Sequence, residues 1–156
     1  MINVLFVCLG NICRSPMAEA IFKEKVKGAS LENTIAVDSA GTGDWHIGNS
    51  PHEGTLAILK KHRIDHEGIT ARQVQKQDME EYHYIIGMDA ENIGNLSRMK
   101  GLRPSGEIAR LLDFIEDGKE DDVPDPYFTG NFDYVYELVN EGCEHLLMHI
   151  REKEGL

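Results

Sequence analysis

The sequence predicts an α/β protein: a four-stranded parallel sheet in three layers, with helices on both faces and a tight loop after the first strand. Three observations lead there. Strand-like and helix-like segments alternate along the chain, which argues for parallel strands joined by crossover helices. The first strand candidate, Ile2–Cys8, is apolar apart from Asn3, as a strand buried on both faces must be. A short segment containing Gly10 and Asn11 then separates it from a helical pattern that opens at Ser15-Pro16.

The elements follow in order. Ser15 fits a helix N-cap with Pro16 at the first helical position. Met17, Ile21, Lys25 and Val26 carry a 3.6-residue period, with Ala18 and Phe22 beside them, so a helix spans Ser15–Lys27. Ile35–Ser39 reads as the second strand. Ser50 opens a helix over Pro51–His62, and Tyr84–Met88 is the third strand. Asp89 caps a helix through about Arg98, and Ile108–Asp113 is a weaker fourth strand. Asn131 caps a last amphipathic helix with Val135, Leu138, Val139, Cys143, Leu146, Leu147 and Ile150 on one side. No repeat interrupts the pattern, and residues 1–156 are expected to form one domain.

The loop Cys8-Leu9-Gly10-Asn11-Ile12-Cys13-Arg14-Ser15 carries the chemistry. A bare C-x5-R pattern arises by chance in about one such chain in seven. Its placement between a strand and a helix start makes it specific. Unpaired N–H groups at the helix start point into the loop, and the helix dipole adds partial positive charge. Gly10 and Asn11 tolerate left-handed backbone angles, so successive amides of Leu9 to Ser15 can converge on one anion. The planar guanidinium of Arg14 can grip two oxygens of a phosphate. The same field lowers a thiol pKa from about 8.5, which makes Cys8 a candidate thiolate nucleophile. The Ser15 hydroxyl is placed to hydrogen-bond that sulfur. The plainer alternative for Cys8 is a buried packing residue.

Cleaving a phosphate monoester also needs a proton for the leaving oxygen. Asp125, stiffened between Pro124 and Pro126 and followed by Tyr127 and Phe128, is the candidate acid. It differs in composition from the solvated acidic run 116–122. Trp45 follows the polar loop Gly41-Thr42-Gly43-Asp44, a setting in which a large aromatic often lines a cleft.

At 156 residues and a net charge of −11, the composition argues against nucleic acid and anionic membranes as partners. Three cysteines form no disulfide framework, which favours a reducing, cytoplasmic setting. No leader or membrane-spanning stretch is visible. His145 and His149 stand four apart on the last helix, but two ligands do not make a metal site, and the pair reads as an exposed helix face. No metal or cofactor is expected.

Three blocks together resemble the low-molecular-weight protein tyrosine phosphatases: residues Cys8–Ser15, Asp38-Ser39-Ala40-Gly41-Thr42 followed by Trp45, and Asp125-Pro126-Tyr127-Phe128. The resemblance runs from Val4 to about Cys143. It implies hydrolysis of phosphotyrosine in proteins or peptides through a phosphocysteine. Cys8 would be the nucleophile, Arg14 the phosphate clamp and Asp125 the general acid. Asn11 and Ser39 would support the phosphate loop, and Trp45, Tyr127 and Phe128 would wall the cleft. It further implies a metal-free enzyme, expected here as a monomer. A reversible Cys8–Cys13 disulfide is also implied as a redox switch.

Two departures are visible. Many relatives carry a His just before the block Ala71-Arg72-Gln73, where this chain has Gly68-Ile69-Thr70 with His66 upstream. Ile12 stands where a related branch that hydrolyses phosphoarginine carries Thr, which favours phosphotyrosine. The alternatives are a phosphoarginine phosphatase or an arsenate reductase of the same fold, or a non-catalytic phosphate-binding module. Arsenate reduction needs a relay of further cysteines, and neither Cys13 nor Cys143 is suitably placed for it.

Overall fold

The computed structural model describes residues 1–99 and 106–156. The elements run β1 (Ile2–Cys8), α1 (Arg14–Gly28), β2 (Ile35–Gly41), α2 (Glu53–Lys61), α3 (Asp78–Glu81), β3 (Tyr84–Gly87), α4 (Ala90–Met99), β4 (Glu107–Arg110), a 3-10 turn (Leu111–Phe114), α5 (Pro126–Thr129) and α6 (Phe132–Glu154). Four described strands pair in parallel in the order β2-β1-β3-β4. This is the expected four-stranded parallel sheet with helices around it.

The near-continuous apolar run of β1 has a direct cause. Successive side chains point to opposite faces, and both faces are covered. Val4, Phe6 and Cys8 join the core formed with Met17, Ile21 and Phe22 of α1 and Val135, Val139 and Leu146 of α6. Leu5 and Val7 pack on the other face with Ile85 of β3, Met79 of α3 and Leu96 of α4. Phe6 is fully buried and meets Phe22 edge-on at 5.4 Å. Burying one such side chain is worth roughly 1.5–3 kcal/mol.

β1 is central, with β2 on one side and β3 on the other. The connection after β1 therefore runs toward β2, and the one after the neighbouring β3 runs the opposite way toward β4. That divergence opens the crevice in which α/β folds bind ligands. Cys8 is the last residue of β1.

Several boundaries differ from the sequence expectation. α1 begins at Arg14 with Cys13 at the N-cap position, so Ser15 and Pro16 lie inside the first turn. Pro16 is tolerated there because N–H groups of the first turn have no intrahelical acceptor. α2 starts at Glu53 and is capped by His52, not by Ser50. The segment before it is held extended: Gly48 N–H bonds Ala71 O, Ala71 N–H bonds Asn49 O, and His52 N–H bonds Ile12 O. β2 reaches Gly41 and β3 stops at Gly87. β4 ends at Arg110, where its pairing with β3 runs out at Gly87. The Arg110 N–H then bonds Asp113 Oδ2 at 3.0 Å, which turns Leu111 and Leu112 into the core.

Candidate active site

The loop after β1 folds around a left-handed residue. Asn11 has φ +56°, a conformation asparagine tolerates better than most residues, and Gly10 keeps a negative φ. The left-handed turn expected of both residues thus falls on Asn11 alone. β2 abuts the loop at Gly41, where an added Cβ would stand 2.9 Å from Leu9 O. A side chain at position 41 would push the loop off the sheet edge.

Cys8 is buried, and two donors address its sulfur. Asn11 N–H lies 3.3 Å from Sγ, and Ser15 Oγ lies 2.9 Å from it. The polarity of this contact is set from behind. Asn11 Nδ2 donates to Ser15 Oγ at 2.7 Å and to Ser39 Oγ at 3.0 Å, and Asn11 Oδ1 accepts from Arg72 N–H at 3.0 Å. Ser39 in turn donates to Glu19 Oε1 at 2.6 Å. Each hydroxyl has one hydrogen. Ser39 gives its own to Glu19, while Ser15 receives from Asn11 and keeps its hydrogen for the sulfur. Glu19 is itself buried and pairs with Lys23 of the same helix. The expected Asn11–Ser39 pair is therefore present, with Glu19 as a further support.

Arg14 is buried and sits among carboxylates. Nη1 lies 2.6 Å from Asp89 Oδ2 and 2.9 Å from Val123 O, and Nη2 lies 3.4 Å from Asp125 Oδ2. Burial opposes the guanidinium charge, but Cys8, Asp89 and Asp125 together hold its pKa above the ordinary value. The Arg14 Nε–H is buried and has no acceptor among the described residues. An oxyanion in the loop would supply one.

Asp125 caps α5: its Oδ1 accepts Tyr127 N–H at 3.1 Å, which leaves Oδ2 toward Arg14. A cavity of about 190 Å³ gathers these groups. Its floor is Cys8, Leu9, Gly10, Ile12, Cys13 and Arg14, and Asp125 stands at its side with Trp45, Tyr127 and Phe128 as walls. These three aromatics are 66%, 57% and 76% exposed, so flat apolar surface at the rim is left for a ligand. Asn11, Ser15 and Ser39 lie behind the cavity rather than in its lining.

Sequence reasoning missed three contributors, Asp89, Glu19 and Arg72, and placed His46 near the cleft without a role. Asp89 was visible only as a helix cap, which it is, through Oδ1 and Asn92 N–H at 2.8 Å. Its second oxygen holds Arg14, and only the fold reveals that. Glu19 carries no local signal. His46 joins the cavity lining from beside Trp45. Arg72 supplies the backbone N–H that braces Asn11, and its guanidinium is anchored by Asp38 and Asp78. His66 instead contacts Ile64 O. On α6, His149 bonds Glu107 Oε2 at 3.1 Å, and both it and His145 are half-buried, so the exposed-face reading of that pair is corrected. Cys143 is fully buried in the core, as its place on the apolar stripe implies.

A parallel α/β sheet with a buried cysteine at the end of an interior strand, a loop whose Asn11 amide turns onto that sulfur and an arginine at the following helix start is the arrangement of the cysteine-dependent phosphatase class. Comparison narrows the class. The family model of the low molecular weight phosphotyrosine protein phosphatases matches residues 3–155. The chain is 56% identical over 156 residues to the low molecular weight protein-tyrosine-phosphatase YfkJ of Bacillus subtilis, covering all of both chains. It is 47% identical over 158 residues to PtpA of Staphylococcus saprophyticus, across all of this chain and 98% of that one. The crystal structure of Bacillus subtilis YfkJ superposes with a TM-score of 0.95 over 98% of this chain and 96% of that one, at 57% identity. This chain belongs to the low molecular weight protein-tyrosine-phosphatase family.

Proposed function

We propose that this phosphatase hydrolyses phosphotyrosine in proteins with Cys8 as nucleophile, Arg14 as phosphate clamp and Asp125 as general acid. One observation carries the assignment: Cys8, Arg14 and Asp125, up to 117 residues apart in sequence, line one cavity. In the first step the Cys8 thiolate attacks phosphorus in line with the leaving oxygen. An S–P bond forms as the P–O bond to the tyrosyl ring breaks, and Asp125 gives its proton to that oxygen. The loop amides and Arg14 carry the charge of the transferring phosphoryl group. In the second step the Asp125 carboxylate takes a proton from water, and the oxygen attacks phosphorus. Cys8 leaves as a thiolate, stabilised by the Ser15 hydroxyl and Asn11 N–H.

The exposed aromatic walls support a flat aryl phosphate over an alkyl one. Ile12 at the cavity floor supports phosphotyrosine over the more polar phosphoarginine head. An uncapped thiolate at the centre of the reaction supports a reducing, cytoplasmic setting, and the site is complete within one chain, as a working monomer requires. The test compares wild type with Cys8→Ser on phosphotyrosyl, phosphoseryl and phosphoarginyl peptides with chelator present. Activity on the phosphotyrosyl peptide alone, abolished in the variant, is expected. Activity that survives Cys8→Ser overturns the nucleophile assignment.

A further inference from the structure

We propose that His52 is a positioning residue for the proton-transfer step, fixing the Asp125 loop to the phosphate loop through an aromatic column. This rests on the assignment of Asp125 as general acid. His52 does not line the cavity, yet it touches the structures on both sides of it. Its backbone N–H donates to Ile12 O of the phosphate loop at 2.7 Å. Its ring lies flat on Phe132 at 5.2 Å and 19°, and presents an edge contact to Tyr127 at 6.0 Å and 79°. Phe132 packs beside Ile12 and Cys13. Tyr127 is the residue whose N–H bonds the Asp125 carboxylate. The column thus runs from the phosphate loop through Phe132, His52 and Tyr127 to the acid.

The ring is held on its own account. Nδ1 accepts the Gly54 N–H at 3.0 Å as the cap of α2, which places the ring proton on Nε2. Gly54 itself lies flush against Phe132, where an added Cβ would come within 2.5 Å of that ring. Few other side chains do both jobs: asparagine caps without stacking, and phenylalanine stacks without capping.

The need for such a brace follows from α5. Four residues cannot hold a helix by themselves. The side chain of Asp125 touches Arg14 at 3.4 Å through Nη2. A bound phosphoryl group that takes up the Nη2 donor removes that tie at the moment the acid must be in place. The column makes no use of Arg14 and persists. A general acid must lie within about 2.6–3.2 Å of its oxygen, and a 1 Å error can cost about 10²-fold.

The experiment measures kcat/KM, which reports phosphoryl transfer to Cys8, on phenyl phosphate and p-nitrophenyl phosphate. The poor leaving group needs the proton and the good one does not. His52→Asn keeps the cap and removes the ring. It is expected to lower phenyl phosphate turnover about tenfold and p-nitrophenyl phosphate turnover less than about twofold. His52→Phe restores the ring and is expected to bring phenyl phosphate back to within about threefold of wild type, with a lower Tm from the lost cap. Phe132→Leu, which removes the plate beneath the ring, gives the same leaving-group signature and serves if His52→Asn does not fold. Equal losses on both substrates, an unchanged ratio, or no recovery in folded His52→Phe overturns the proposal. Asp125→Ala separates the two readings. If it shows no leaving-group dependence, the acid assignment falls and this inference with it; if it does and His52→Asn does not, only this inference falls.

Discussion

Arg14 and Asp125, 111 residues apart, face each other across the cavity with Nη2 and Oδ2 separated by 3.4 Å. That contact joins the arginine proposed as clamp to the carboxylate proposed as acid. At that distance it is longer than a charge-assisted hydrogen bond of about 2.7–2.9 Å, and on the proposed mechanism both partners turn to the substrate once phosphate binds. The arrangement holds the two groups in reach without committing either.

The acid is tested through its leaving group. Asp125→Ala should reduce kcat/KM on phenyl phosphate by about 10²–10³, and on p-nitrophenyl phosphate by no more than about tenfold. A Brønsted plot across substituted phenyl phosphates should steepen. Equal losses along the series would remove the general-acid role.

Asp89 is expected to act on the clamp. Its Oδ2 holds Arg14 at 2.6 Å while Oδ1 caps α4. Asp89→Asn keeps a cap acceptor and deletes the charge beside the guanidinium. Inhibition by inorganic phosphate should weaken about tenfold, and kcat/KM on p-nitrophenyl phosphate should fall by a similar factor. The Tm should change by only a few degrees. Phosphate affinity equal to wild type would show that Arg14 keeps its place without Asp89.

Oxidation should be governed by Cys13. Burial, aided by the nearby Cys8 and Asp125 charges, pushes its thiol up to about 12. Peroxide is expected to convert the Cys8 thiolate to a sulfenic acid with release of hydroxide. Cys13 then attacks that sulfur as an S–S bond forms, the S–O bond breaks and the oxygen leaves as water with the Cys13 proton. Because Cys13 is held protonated at neutral pH, closure should accelerate with rising pH, by up to about tenfold per unit. Mass spectrometry after a peroxide pulse reads the yield. Sulfonic acid at Cys8 as the main product would show that Cys13 does not protect it.

Far from the site, Glu107 ties β4 to the end of α6 by accepting from His149 and Lys153, both at 3.1 Å. Burial raises its pKa, but these two donors outweigh it and hold the carboxyl below its ordinary value. A group with a depressed folded pKa contributes stability that is complete above its unfolded value, about 4.3, and lost as pH falls through the folded value. Glu107→Gln should therefore lower the Tm at pH 7, and the gap to wild type should close as the pH falls below about 4. A gap that stays constant with pH would mean that packing, not charge, is lost.

Much of the site could be read from the chain because its centre is local. Cys8 to Ser15 are contiguous, so their residue types alone specify a strand end, a tight loop and a helix start. Asp125 was legible for another local reason: prolines on both sides and two aromatics after it set it apart from the acidic run upstream. Asp89, Glu19 and His52 were not legible in these roles. Each has an ordinary local role, as a cap or a helix residue. Each gains a second one only through a partner 20 to 75 residues away or a ring brought in by α5 and α6. The backbone N–H of Arg72 bracing Asn11 is of the same kind, because any residue type has one.

The sequence by itself determined the alternation of elements, the two-faced burial of β1 and the chemistry of the loop at its end. Those follow from periodicity, from turn-forming residues and from the intrinsic reactivity of sulfur and guanidinium. Only the tertiary structure decided that Asp89 holds Arg14 and that His52 and Phe132 stack between the Asp125 loop and the phosphate loop. Parallel pairing brings distant strand ends to one edge, and the strand register selects the side chains that meet there.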